Sequence, residues 1–382
     1  MTRIWRDLTL AWQIALVGTI SLMLTGCGGS DAVKPAKLPE FKPTAQARVA
    51  WRASVGGSKS YIFSPALAQG AIFAAGADGT VARFDAANGK QVWRANSGVR
   101  LSAGVAVDGD LVLVASNKGD VLAYGLDGKE RWRAKVTSEV LSPPRASGSI
   151  VVVRSGDGRI FGLDATSGEQ LWQYQATMTP LLLRAQPGVS IIGNAVLLGL
   201  PAGKVMALSL ATGLPLWDVT VAQPKGANEL ERITDVAAPP LVDREQACAV
   251  TYQGRIACYD VAKGTLEWSR DASSAAGLAT DAVAVYMTDE NGAVMAFDKA
   301  SGATLWKQDK LFARQVSGPA VRGSLIVVGD YEGYVHFLER ADGAFVVRVS
   351  TDGSRIATPP LTVGSNVLVQ TRDGGLYAIE VK

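Results

Sequence analysis

Three cysteines and a single histidine hold most of the reactive chemistry in these 382 residues. Cys248 and Cys258 flank the turn at Tyr252-Gln253-Gly254. A three-residue loop there sets them directly opposite on paired strands, within disulfide reach if the pair is a non-hydrogen-bonded one; two free buried thiols are the alternative. His336 lies within the strand-like run Tyr334-Val335-His336-Phe337-Leu338. One imidazole cannot form a histidine-rich metal site, and a Ser-His-Asp triad built on it is conceivable in principle only. Asp85, Asp164, Asp260 and Asp298 recur at fixed places, but each opens a turn such as Asp298-Lys-Ala-Ser-Gly302, where a carboxylate bonds backbone N–H groups. No catalytic residue, metal ligand set or cofactor site is recognisable.

The elements that position these groups are copies of one unit, seen in Gly292-Ala-Val-Met-Ala-Phe-Asp298 and the tryptophan that follows, Trp306. The same frame occurs at Gly79/Asp85, Gly119/Gly125, Gly158/Asp164, Gly203/Ser209, Gly254/Asp260, Gly333/Glu339 and Gly374/Glu380, with successive glycines 38 to 51 residues apart. Such a period marks a repeat architecture. Pairs such as Asp78-Gly79 and Asn291-Gly292 supply the positive φ of tight hairpins, and the run after each glycine is apolar on both parities, as in a strand buried on two faces. Eight residues past the Asp position stand Trp93, Trp172, Trp217, Trp268 and Trp306; Trp132 comes one residue early and Val347 takes the seventh place. A large ring there fills the gap between sheets diverging from an axis. The eighth copy ends without its tryptophan strand, and Ala47-Arg48-Val49-Ala50-Trp51-Arg52 has that strand's form. The expectation is all-β: an eight-bladed β-propeller of four-stranded antiparallel blades over 47–382, the ring closed by the N-terminal strand.

Ahead of it, Arg3 and Arg6 precede an apolar run that ends in Leu24-Thr25-Gly26-Cys27. This resembles a bacterial lipoprotein signal peptide over 1–26, with cleavage before Cys27 and acylation of its sulfur. The run is short and contains Gln13, which disfavours a membrane-spanning anchor. Residues 27–46, with Pro35, Pro39 and Pro43 among lysines and small residues, read as a tether with little to bury. Gly28 after the cysteine implies sorting to the outer membrane, lipid-anchored on its periplasmic face. Thirty-eight basic against thirty-five acidic residues, interspersed, leave no basic stripe for nucleic acid.

The unit resembles the tryptophan-bearing repeat of pyrroloquinoline-quinone enzymes. With the lipoprotein leader, the whole chain resembles the BamB family, propeller lipoproteins of the outer-membrane β-barrel assembly machinery. Members carry a Leu-x-Leu-Arg segment, matched by Leu181-Leu182-Leu183-Arg184, and an Arg-Leu-Ser-Asp-Val-Asp segment, matched by Arg232-Ile233-Thr234-Asp235-Val236-Ala237. Ala237 departs from the pattern. The resemblance implies a non-enzymatic scaffold that binds the periplasmic repeat domains of BamA, the barrel-forming insertase, alongside the rest of that complex and its unfolded barrel substrates. Its contact residues are Leu181, Leu183, Arg184, Arg232 and Asp235, with Asp235 contributing less because Ala237 removes a neighbouring carboxylate.

Loop lengths point to the same place. Trp172 to Pro187 takes fifteen residues and Trp217 to Pro239 twenty-two, longer than the other blade crossings, and both emerge as neighbours on one face of a propeller. The competing reading is a quinoprotein-like dehydrogenase or small-ligand binder using the axial channel, yet the Asp base, calcium ligands and adjacent cysteine pair of those enzymes are not recognisable. Mass spectrometry of the membrane-extracted protein is expected to find an N-terminal acylated Cys27; an intact Met1 or an unmodified Cys27 would overturn this.

Overall fold

A computed structural model of the chain describes residues 33–382, apart from 180, 182 and 184–186. Cys27 and Arg184 lie outside the described residues. The hairpin glycines adopt the conformation expected of them. Gly292 has φ 93°, and a Cβ there would stand 2.3 Å from the Leu311 carbonyl oxygen; Gly374 has φ 91° with the Val55 oxygen at 2.4 Å. Only glycine fits both demands. Each such turn joins two central strands buried on both faces. Ala71–Ala75 and Leu111–Ala115 are buried at every position, whereas an outermost strand such as Gln91–Asn96 alternates between exposed and half-buried side chains.

Among the described residues these strands form eight four-stranded antiparallel sheets and no helix. Blades 1 to 7 span 66–96, 106–135, 145–175, 189–220, 241–272, 278–308 and 320–350, each in simple sequence order. Blade 8 takes three strands from 361–381 and its outermost from Ala47–Ser54, which pairs antiparallel with the last strand so that Trp51 faces Ala378. The ring therefore closes as its repeats require.

Tryptophan locks neighbouring blades. The indole Nε1 of Trp51 donates to the Ala86 carbonyl at 3.1 Å, Trp93 to Leu126 at 2.9 Å, Trp132 to Ala165 at 2.8 Å and Trp172 to Leu210 at 2.9 Å. Trp217 reaches Val261 at 3.0 Å, Trp268 Lys299 at 2.8 Å and Trp306 Arg340 at 2.8 Å. Each acceptor directly follows the Asp position of the next blade's frame. The same ring lies on that blade's closing glycine: a Cβ on Gly302 would meet Trp268 Cε3 at 2.3 Å. Asp298 Oδ1 shapes that turn by accepting from the Ser301 N–H at 2.8 Å, the backbone role expected of the repeated aspartates.

The seam between blades 7 and 8 lacks this lock, because Val347 stands at the tryptophan position and blade 8 has no closing turn. The N-terminal segment covers it. This corrects the tether reading for residues 36–46, since the chain is docked from Ala36 onward. Ala36 N–H donates to the Phe312 carbonyl at 2.9 Å, Thr44 N–H to Val346 at 3.0 Å, and Phe41 stacks on Phe345 with ring centroids 5.3 Å apart. The segment's carbonyls are held as well. Arg314 Nη1 donates to Ala36 at 3.1 Å, and Arg348 Nη2 to Pro39 at 2.7 Å. An apolar count missed this because the cations come from blade 7 and from the crossing that leads into it.

Those cations belong to a buried network. Arg314 Nε donates to Asp330 Oδ2 at 2.8 Å and its Nη2 pairs with Glu332; Asp330 and His336 are wholly buried. Arg348 Nε donates to His336 Nδ1 at 3.3 Å, which makes Nδ1 an acceptor and leaves Nε2–H to donate to Asp330 Oδ2 at 3.0 Å. The imidazole is thus neutral. Burial pushes its pKa below the ordinary value, against the pull of Asp330 and with the push of Arg348 and Arg314. Burial raises Asp330, but hydrogen bonds from His336, the Tyr334 N–H and Arg314 together bring it below the usual carboxylate value.

Unfolding returns His336 to about 6.5, so below that pH the unfolded chain takes up a proton that the folded chain does not. This part of the stability is complete above about pH 6.5 and lost as pH falls through it. Because His336 is the single histidine, the melting temperature is expected to fall between about pH 7 and 5.5 in wild type and to stay level there in His336→Gln. A parallel decline in both proteins would refute the assignment.

Candidate partner-binding site

The crossing from blade 4 to blade 5 begins with a local device. Asn228 Oδ1 accepts the Glu231 N–H at 3.0 Å, while the Glu231 carboxylate accepts from the Ala227 N–H at 2.7 Å and Asn228 Nδ2 at 2.8 Å. This reciprocal cap builds a single turn over 228–232. The turn leaves Leu230 68% exposed and presents Arg232 beside Glu229 at 3.8 Å. Beyond it the chain dives inward, with Thr234, Asp235, Val236, Ala237 and Ala238 all buried.

Asp235 organises the neighbourhood. Its Oδ2 accepts the Leu183 N–H at 2.7 Å and its Oδ1 the Ala202 N–H at 3.2 Å, while its carbonyl accepts the Tyr252 N–H at 2.9 Å. One residue therefore ties together the crossing after blade 3, the hairpin of blade 4 and the hairpin of blade 5. Ala202 sits at φ 56°, a strained position for a residue with a Cβ, which the carboxylate helps to hold. Arg154 reinforces this from blade 3, its Nη1 donating to the Gly199 carbonyl at 2.5 Å. Burial pushes the Arg154 guanidinium down to about 10, against the pull of Asp235. A cavity of about 150 Å³ lies between, lined by Arg154, Met178, Leu183, Leu200, Asp235 and Ala237.

Leu183 and Asp235 are thus brought together, and Leu181 stands 41% exposed beside them. Arg232 lies on the exposed turn beside Glu229, and Arg184 lies outside the described residues. The reading of Asp235 as a minor surface contact changes: it is 6% exposed and acts by fixing two loops. Ala237 forms an apolar wall of the cavity rather than leaving a gap at the surface. Sequence reasoning missed Arg154. Arg154 had a signal, being the one charge among the eight residues that end the second strands of the blades.

Blade 5, which receives the longer crossing, carries the cysteines. Cys248 and Cys258 are directly opposite in register, their Cα atoms 4.0 Å apart and their sulfurs bonded. Both are buried against Trp268 and Phe297, where a bond has a structural role. Among the described residues no group of three His, Cys, Asp or Glu side chains is arranged to hold a metal ion.

Asp235→Ala is expected to leave the Leu183 and Ala202 amides buried without an acceptor, at a cost of about 1–3 kcal/mol in stability. Hydrogen exchange should accelerate at both amides while the blade strands keep their protection; unchanged exchange at Leu183 would show that the carboxylate does not hold the loop.

The model of the family described as outer membrane protein assembly factor BamB matches residues 44–98, 77–308 and 294–382. The chain is 43% identical over 359 residues to the outer membrane protein assembly factor BamB of Burkholderia pseudomallei, covering 93% of this chain and 94% of the relative. Among solved structures, BamB from Moraxella catarrhalis superposes with a TM-score of 0.80 at 27% identity, over 88% of this chain and all of that one. A quinohemoprotein alcohol dehydrogenase from Pseudomonas putida reaches 0.71 at 12% identity, over 89% of this chain and 76% of that one, a likeness of fold alone. With the repeats, the ring and these matches in place, the chain belongs to the family of the outer membrane protein assembly factor BamB.

Proposed function

We propose that this protein is a non-enzymatic scaffold of outer-membrane barrel assembly, held by acylated Cys27 on the periplasmic face and binding BamA through the loops at 181–184 and 229–235. The observation that carries the reading is the pinning of Leu183 by Asp235 in a chain of this family. Leu183 and the 234–238 stretch are held to the ring before a partner arrives, which lowers the ordering cost of binding. Leu181 and Leu183 are the apolar anchors, and Leu230 is a further exposed leucine on the second loop. Arg184 supplies a directional charged contact and Arg232 a rim charge. Asp235 acts behind the surface as the clamp.

Small clusters of anchors dominate most interfaces, so Leu183→Ala or Arg184→Ala is expected to weaken BamA binding by about 1–3 kcal/mol each. Arg232→Ala should cost less, since exposed rim charges contribute little. Co-purification of BamA with the full-length protein from detergent extracts is the test. Retention of BamA by the triple variant Leu181→Ala, Leu183→Ala, Arg184→Ala at an unchanged melting temperature would move the interface elsewhere on the ring.

A further inference from the structure

Across the ring from these loops, the crossings that lead into blades 8 and 1 border a second cavity of about 360 Å³. Its charged lining residues are Lys59, Arg355 and Arg372, with no carboxylate among the lining side chains. Arg355 is half-buried, and its Nε is closed off from solvent without a hydrogen-bond partner. Burial pushes its guanidinium below the ordinary arginine value, and the Arg372 charge pushes it the same way. Arg372 Nε donates to the Lys59 carbonyl at 3.0 Å, which holds the Arg372 guanidinium against the crossing into blade 1. The adjacent carboxylate of Asp352 is engaged by the Ser354 hydroxyl at 2.8 Å and the Thr371 hydroxyl at 2.7 Å. A desolvated cation without a counter-charge is costly, and an anion in this cavity removes that cost.

The remaining wall narrows the class of anion. Gln370 is 3% exposed and its Nε2 donates to the Ala75 carbonyl at 3.0 Å, which sets the amide's orientation and leaves its oxygen buried without a donor. The apolar surface beside it disfavours a bare phosphate. Ile62, 37% exposed, and the buried Phe63 add apolar surface. We propose that this cavity binds a carboxylate-bearing peptide segment, its carboxylate between Arg355 and Arg372 and a neighbouring apolar side chain against Ile62. The site is independent of the BamA reading.

The full-length protein in detergent is titrated with the peptides acetyl-Leu-Asp-Leu-amide and acetyl-Leu-Asn-Leu-amide, and separately with sodium phosphate and anionic phospholipid vesicles, at ionic strength held constant with sodium chloride. The aspartyl peptide should shift the amide resonances of Ile62, Gln370 and Arg372 and bind about tenfold tighter than the asparaginyl one, as a charge-assisted contact requires. R355M with R372Q should abolish the difference, and K59Q, at an exposed position, should reduce it with the melting temperature unchanged. R355M alone should raise the melting temperature of the peptide-free protein, because it removes an uncompensated charge. Equal binding of the two peptides, or an unaltered preference in R355M with R372Q, would overturn the site. Tighter binding of phosphate or vesicles than of the aspartyl peptide would overturn the peptide assignment, and a lowered melting temperature in R355M would refute the uncompensated charge.

Discussion

Everything in this ring depends on the contact between a tryptophan of one blade and the turn of the next. The indole hydrogen bond and the glycine seat act together: the N–H meets the carbonyl after the Asp position, and the ring face lies where any Cβ on the closing glycine would clash. A buried indole needs an acceptor, and a wedge-shaped gap between diverging sheets needs a large planar filler. The two requirements fix the rotation from blade to blade. That rotation sets both the number of blades that close and the place where successive crossings emerge.

The seam that lacks tryptophan shows how the constraint is met otherwise. Between blades 7 and 8 an aromatic stack, two arginines and a neutral histidine hold the segment 36–46 across the gap. The chain that leads into the closing strand is therefore part of the wall. Polar burial replaces apolar burial here, and it makes this seam sensitive to protonation in a way the tryptophan seams are not.

The loops proposed to bind a partner illustrate a different balance. Exposed leucines on long loops have little packing of their own, so their order comes from beneath, through a buried carboxylate whose acceptors are filled by backbone N–H groups from one crossing and from the hairpin of blade 4. Such a group is costly to bury alone and stabilising when every bond is made. The disulfide of blade 5 stiffens the sheet that receives the longer of these loops. Across the ring, the cavity at Arg355 has the opposite character, with charge and acceptor both unsatisfied within the chain.

By itself the sequence determined the repeat, the all-β class, the count of eight blades and the closure by Trp51, because these rest on local chemistry: glycine at positive φ, strands apolar on both parities, and a fixed spacing from turn to tryptophan. It also placed Cys248 opposite Cys258, since a hairpin's register follows from its loop length. The tertiary structure alone decided what joins residues far apart in the chain. The docking of 36–46 on blade 7 arises from arginines some three hundred residues away. The role of Asp235 was hidden because its partners are N–H groups of Leu183 and Ala202, and a backbone amide has no signature in sequence. The charge of Arg154 was visible in the sequence, but its meaning was not, because burial and the nearness of Asp235 exist only once three blades stand side by side.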